Sequence, residues 1–242
     1  MVRAEPIDDV LLVTIDRPER RNAVDAATLR ALAEAQATAR RTSARVVVLT
    51  GAPPAFCAGA DLTGVEEGEF ARLLALVLRG FTELPVVTMA AIHGAALGAG
   101  TQLAVACDLR VADPTARFGI PAAKLGLAVD PWTVRRVAQE LGPAVARSML
   151  LTAQEYTADR LHAMGGVHRL GDLDAALAWA HELSQLAPLT IAAHKIALEH
   201  AAVAAEVDEL VDAARAAAWA SADAVEGRQA FLEKRRPRFT GA

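Results

Sequence analysis

The sequence predicts an α/β protein, a parallel sheet with crossover helices followed by a helical C-terminal region. Three observations carry that reading. Uninterrupted, partly β-branched apolar runs recur at 10–15 (VLLVTI), 45–50 (RVVVLT) and 86–92 (VVTMAAI), as expected of strands covered on both faces. Stretches with helical spacing separate these runs, the alternation of a sheet with crossover connections. Beyond Pro131 the strand-like runs stop, and Gly142-Pro143, Gly165-Gly166, Gly171 and Pro188 punctuate what reads as helix.

In chain order, the strand at 10–15 is closed by the Asp16-Arg17-Pro18 turn, and Asp25 is placed to cap an Ala/Leu-rich helix that runs to about Arg40. The strand at 45–50 ends at Gly51 and hands over to the loop APPAFCAGADL. Residues 66–84 begin acidic and carry Phe70, Leu73, Leu74, Val77 and Phe81 on one helical face, which covers either core or ligand. After the strand at 86–92, Gly94, Gly98 and Gly100 permit close backbone approach before a helix resumes at Thr101. Such a junction aims the free N–H groups of a helix N-terminus at whatever sits above the strand, a candidate anion or oxyanion site. A strand at 109–112, the Phe118-Gly119-Ile120-Pro121 segment and the Leu125-Gly126-Leu127 turn follow. The expected division is a core over 1–187 and a helical region over 188–242 that ends in the basic segment LEKRRPRF.

Composition narrows the class. With 242 residues, 53% of them hydrophobic and 22% charged, the chain can bury one sizeable core. A formal charge of −4 with scattered Lys and Arg offers no basic field, so no nucleic-acid partner is expected. MVRAEPIDDV lacks the apolar centre of a signal peptide, and no apolar run reaches the roughly 18 residues that span a bilayer. A soluble cytoplasmic protein without an integral membrane segment is expected. Cys57 and Cys107 are far apart and belong to no CxxC or Cys/His grouping; they are expected to be reduced and buried, with no disulfide and no metal site. Cys57 could be read as a nucleophile, but no His or Asn pattern accompanies it, which favours a small apolar role. The glycines at 94, 98 and 100 do not follow GxGxxG, and no acidic residue is placed for a ribose, so a dinucleotide site is disfavoured.

FCAGADL at 56–62 and HGAALGAG at 93–100 together resemble the two signature loops of the crotonase, or enoyl-CoA hydratase/isomerase, family. DRPERRNAVD, CDLRVAD, LGLAVD and EGRQAFLEKRRPRFTG resemble its other landmarks in order, so the likeness spans nearly the whole chain. The resemblance implies a crotonase-like spiral of ββα units, a C-terminal helical trimerisation region, a homotrimer or dimer of trimers, and an acyl-CoA ligand or substrate with no further cofactor. It also implies an oxyanion hole formed by the N–H groups of Ala60 and Ala99, the latter where the family usually carries Gly. Two preorganised donors of that kind stabilise an enolate-like oxygen by several kcal/mol when water is excluded. By the same resemblance, Arg21 and Lys234 hold coenzyme A phosphates, the backbone near Ala58 and Ala60 meets adenine, and Asp61, Leu62 and Phe231 complete the coenzyme site. An acyl pocket is implied from Phe70, Leu74, Val77, Phe81 and Trp132.

The departures concern proton transfer. Family hydratases hold the attacking water between two glutamates, and Gln102 and Ala122 stand at those positions here. Gln can orient water but not take its proton, and Ala has no such group; each lost acid/base role removes typically 10²–10⁴-fold. The run from Lys124 to Arg136 is similar to that of mycobacterial members lacking both acids. Asp130 matches an aspartate that related isomerases use for proton transfer and a related dehalogenase uses as nucleophile, yet the partners those enzymes add at 102 and 122, or near 123, are absent. Asp130 before Pro131 equally suits a helix cap. His93, where Asn is usual, is expected to satisfy local hydrogen bonds. Three readings stay open: an acyl-CoA-binding homologue with weak or no hydratase activity, an enzyme using Asp130 for isomerisation or other enolate chemistry, and a scaffold that assembles through its helical end.

Overall fold

A computed structural model describes residues 1–61, 67–125, 127–201, 213, 217 and 220–242. Its first element is a strand the sequence pattern does not announce, β1 (Val2–Ile7), paired antiparallel with β2 (Val10–Ile15). Asp8, at φ 50°, turns the hairpin in the left-handed conformation that Asp tolerates better than most residues. β1 is nearly all exposed and carries Arg3, Glu5 and Pro6, which suits an unpaired edge and hides it from a search for apolar runs.

The expected strands are present. β2, β3 (Val46–Gly51), β4 (Val87–Ile92), β6 (Leu109–Ala112) and β9 (Arg169–Leu170) are parallel neighbours in one sheet of order β1-β2-β3-β4-β6-β9. Alternate residues of the buried strands face two cores. Val46, Val48, Met89 and Val111 pack against α7 (Leu173–Ser184) on one side. Val47, Leu49, Ala90 and Ile92 join the larger cluster with α1 (Ala26–Arg41), α2 (Glu67–Thr82) and α3 (Ala99–Ala106). Strands buried on both faces need continuous apolar sequence, which is why these runs were legible.

The pattern of apolar runs does not announce the second sheet. β5 (Ala95–Leu97), β7 (Arg117–Gly119) and β8 (Tyr156–Thr157) form a sheet of order β5-β7-β8, with β5 and β7 parallel and β7 and β8 antiparallel. The stretch after β4 is thus strand, bend, second short strand and then helix. β8 and β9, of two residues each, also interrupt the nearly all-helical reading beyond Pro131. Strands this short hold no readable alternation.

The remaining helices are α4 (Pro131–Leu141), α5 (Pro143–Thr152), α6 (Ala158–Ala163), α8 (Pro188–Ala201) and α9 (Ala222–Glu233). Buried cations tie α8 to the segments that enter β4 and β6, and α4 to α3 and α8. Lys195 Nζ donates to Asp108 Oδ2 at 2.7 Å and to the carbonyls of Phe81 and Val86, while Arg136 reaches Val105 O at 2.7 Å and Glu199 at 2.6 Å. A buried charge is tolerable only with such partners. After α9 the chain folds back, with Asp223 accepting the N–H groups of Thr240 and Gly241. No helix among the described residues is long and apolar enough to cross a membrane.

Candidate functional site

The two loops singled out by sequence lie side by side. The N–H of Cys57 donates to Ala95 O at 2.9 Å, that of Leu97 to Cys57 O at 3.0 Å, and that of Phe56 to His93 O at 2.8 Å, so 56–58 runs as an extra rung beside β5. Small residues allow that approach. A Cβ on Gly100 would lie 2.1 Å from Cys57 O, and one on Gly94 2.3 Å from Pro54 O, where φ of 57° already disfavours a side chain.

On the other side the loop is templated by 17–25. Ala58 N–H donates to Arg21 O, Val24 N–H to Gly59 O and Asp61 N–H to Val24 O. That pattern turns the N–H of Ala60 away from Val24, and it enters none of these turns. Ala99 opens α3 behind Gly98, so its N–H belongs to the helix's first, unpaired set. The helix therefore starts two residues before the expected Thr101, which makes Ala99 a helical residue with no strain from its methyl group. Beneath it, Thr101 Oγ1 contacts Ala96 O at 2.6 Å and Gly119 O at 2.9 Å and accepts Gly119 N–H at 3.0 Å, locking α3 to β5 and β7.

The side chains expected to matter for proton transfer cluster on the same helix and its neighbour. Gln102 is buried one turn beyond Ala99. Asp130 is the N-cap of α4: Oδ1 accepts Trp132 N–H at 3.0 Å and Thr133 N–H at 3.3 Å, and Oδ2 accepts the Thr133 hydroxyl at 2.6 Å. Thr133 Oγ1 lies 3.4 Å from Gln102 Oε1. Ala122, in the 3₁₀ turn Pro121–Leu125, is half-buried against the core and brings no polar side chain. Gly126 of the adjoining turn lies outside the described residues.

The family model described as enoyl-CoA hydratase/isomerase matches residues 6–242. A probable enoyl-CoA hydratase echA6 of Mycobacterium tuberculosis is 40% identical, with all of both chains covered. The 2,3-dehydroadipyl-CoA hydratase of Escherichia coli is 36% identical over 96% of this chain and 95% of its own. Among solved structures, an enoyl-CoA hydratase/carnithine racemase from Magnetospirillum magneticum superposes with a TM-score of 0.91 at 29% identity, covering 100% of this chain and 96% of that one. The chain belongs to the enoyl-CoA hydratase/isomerase family.

Within this enoyl-CoA hydratase/isomerase chain, the other expected residues fall into distinct settings. Arg21 is exposed at φ 49°, and Lys234 is exposed at φ 54° just past α9; among the described residues neither side chain has an ion-pair partner. Asp61 is held by Arg17 Nη2 at 3.0 Å, a supporting contact. Leu62 lies outside the described residues, as does the side chain of Phe231. On α2, Val77 and Phe81 are fully buried in the core, whereas Phe70 and Leu74, with Trp132 on α4, are half-buried at its margin. Cys57 and Cys107 are free and buried, and burial pushes both thiols up to about 12, which makes Cys57 a poor nucleophile.

His93 falls short of expectation at one nitrogen: among the described residues its buried Nε2 has no hydrogen-bond partner, and partial burial holds its pKa below the usual histidine value. Sequence reasoning also missed the supports. Asn22, fully buried at φ 58°, accepts Arg17 N–H at 2.8 Å through Oδ1 and donates to Ala52 O at 2.6 Å and to Ala55 O through Nδ2. Arg17 also reaches Asp25 at 3.0 Å and the carbonyl of Ala23. The signal available was a polar Asn in an otherwise charged turn, which no pattern rule marks as structural.

Proposed function

We propose that this chain binds acyl-CoA thioesters, holding the thioester carbonyl between the N–H groups of Ala60 and Ala99, and that it has weak or no enoyl-CoA hydratase activity. One observation carries the reading: the backbone around Ala60 and Ala99 is held in templated turns, whereas Gln102, one turn along the helix from Ala99, and Ala122 supply no carboxylate. The likeness to relatives called hydratases supports a CoA thioester as ligand. Arg21 and Lys234, exposed cations without ion-pair partners among the described residues, would meet the phosphates. The free carbonyls of Ala58 and Ala60, which accept no backbone hydrogen bond among the described residues, would meet adenine. Phe70, Leu74 and Trp132 would line the acyl chain, and residues 188–242 would assemble a trimer or dimer of trimers in the cytoplasm.

Enolate chemistry through Asp130 is the second reading. The observation that bears on it weakens it, because both Asp130 oxygens already accept hydrogen bonds from the first turn of α4. Calorimetric titration with acyl-CoAs of increasing length, beside a turnover assay with crotonyl-CoA and a longer enoyl-CoA, tests the proposal. Saturable binding with negligible hydration is expected. Rapid hydration would overturn the second clause, and failure of every chain length to bind would overturn the first.

A further inference from the structure

The segment that carries Ala60 is paired to the chain at one residue. Val24 N–H donates to Gly59 O at 2.9 Å and Asp61 N–H to Val24 O at 2.8 Å, a parallel bridge centred on Ala60. Gly59 O and Asp61 N–H both point at Val24, so the N–H of Ala60, between them, faces the other way. Gly59 itself abuts the residues before Ala99. A Cβ on Gly59 would lie 3.3 Å from Leu97 O, and one on Gly98 3.7 Å from Gly59 Cα, so Ala60 and Ala99 each follow directly on the contact between the two loops.

A third tie comes from a side chain. Arg17 Nη2 lies 3.0 Å from Asp61 Oδ2 and 3.0 Å from Asp25 Oδ2, and Nη1 donates to the carbonyl of Ala23. One guanidinium thus joins the residue after Ala60 to the residues on either side of Val24. The Arg17 and Asp61 side chains are only 16% and 11% exposed, so water and salt screen the pair little. Arg17 also separates two like charges. Without it Asp25 and Asp61 would repel each other across the place it fills, and the residue next to the Ala60 donor would be driven off its template. Lysine is no equivalent, since a compact ammonium lacks the planar fork that reaches both aspartates and a carbonyl at once.

We propose that Arg17 is a positioning residue for the Ala60 donor, fixing its direction by clamping Asp61 to Ala23 and Asp25. This rests on the reading that Ala60 and Ala99 hold the thioester carbonyl. In this role Arg17 acts through Asp61 and the Val24 bridge rather than on the ligand, so its loss weakens the hold on the carbonyl and spares the hold on coenzyme and acyl chain.

The test titrates the full chain with decanoyl-CoA and with S-decyl-CoA, the thioether in which a CH₂ replaces the carbonyl. The ratio of the two affinities reports the carbonyl contact alone. The unmodified chain is expected to favour the thioester about tenfold, and to shift its C=O stretch to lower frequency in infrared difference spectra. Arg17→Met should bring the ratio below about threefold and shrink the frequency shift, while S-decyl-CoA affinity changes by less than about twofold. Arg17→Lys should give a ratio between those of Arg17→Met and the unmodified chain. A purely structural loss would weaken both ligands alike, and that result overturns the inference. So does an Arg17→Met chain that keeps both the ratio and the frequency shift; the acyl-CoA reading then stands. Equal affinities and no frequency shift in the unmodified chain overturn the reading of the carbonyl site and the inference with it. Where Arg17→Met does not fold, Arg17→Lys decides, a ratio equal to that of the unmodified chain overturning the inference.

Discussion

Ala99 and Gln102 share one short helix, a turn apart, and their surroundings are built in opposite ways. Around Ala99 the backbone is determined from every side: Gly100 leaves no room beside Cys57 O, Thr101 clasps two carbonyls, and the facing loop hangs from Asn22 and Arg17. Around Gln102 and Ala122 the side chains are an amide and a methyl, and Asp130, joined to Gln102 through Thr133, is engaged as a cap. Holding a carbonyl depends on backbone geometry, which many residues enforce together. Moving a proton depends on two side chains, which two substitutions can remove. The first arrangement can therefore persist while the second is lost.

The strongest way to break that contrast is to put the acids back. Gln102→Glu with Ala122→Glu should raise crotonyl-CoA hydration by at least about 100-fold over the unmodified chain, since each acid/base role contributes typically 10²–10⁴-fold. A double variant that folds and binds acyl-CoA without gaining hydration would mean that the loops do not present the carbonyl in a reactive geometry.

Next in size is a probe of the rigid side. Gly100→Ala places a methyl group 2.1 Å from a backbone oxygen that cannot swing aside, so a loss of about 3 kcal/mol is expected from urea midpoints. Ala122→Ser, on a half-buried turn, should change stability by less than about 1 kcal/mol. Similar costs at both positions would erase the distinction.

These two regions also differ in how far the sequence disclosed them. The strands β2, β3, β4 and β6 were legible because burial on both faces demands continuous apolar runs, and the cap at Asp25 because its side chain meets Thr28 N–H where expected. The loops at 56–62 and 93–100 were legible as motifs, and Gly100 explains physically why small residues are needed there. What escaped was held by pairing across the chain. β5 has three residues, β8 and β9 have two each, and all three depend on neighbours distant in sequence. Asn22 gave no local sign that it would carry the 52–55 segment, and Val77 and Phe81 were indistinguishable from pocket residues until their burial was known.

A smaller effect separates capping from catalysis at Asp130. Asp130→Ala should cost about 1 kcal/mol of stability, and Asp130→Asn should restore most of it because Asn caps nearly as well. Any residual turnover that survives in the Asn variant belongs to other groups. Turnover that vanishes in a well-folded Asn variant would make Asp130 a proton-transfer residue and bring the two halves of the site closer together in kind.

The smallest expected effect comes from the underside of α3. Arg110 is fully buried and donates to Cys107 O at 3.0 Å and Ala104 O at 3.3 Å, anchoring the end of the helix whose start bears Ala99. Its own backbone N–H donates to His168 Nδ1 at 3.1 Å, which requires that nitrogen to be unprotonated. Partial burial first, and the nearby Arg110 guanidinium second, push the His168 pKa from 6.5 down to about 4. A histidine lowered in this way binds its proton more readily in the unfolded chain. Its contribution to stability is therefore complete above pH 6.5 and is lost progressively as pH falls from there toward about 4. Because the ring is only partly buried and the residue keeps much of its surface open to solvent, which screens the charge, the loss should amount to on the order of 1 kcal/mol. His168→Gln, which cannot titrate, should flatten that part of the stability profile measured by urea unfolding between pH 7 and 4. An unchanged slope in the variant would show that the anchor beneath α3 does not depend on this ring, and that the rigidity of the carbonyl-holding side ends at Arg110.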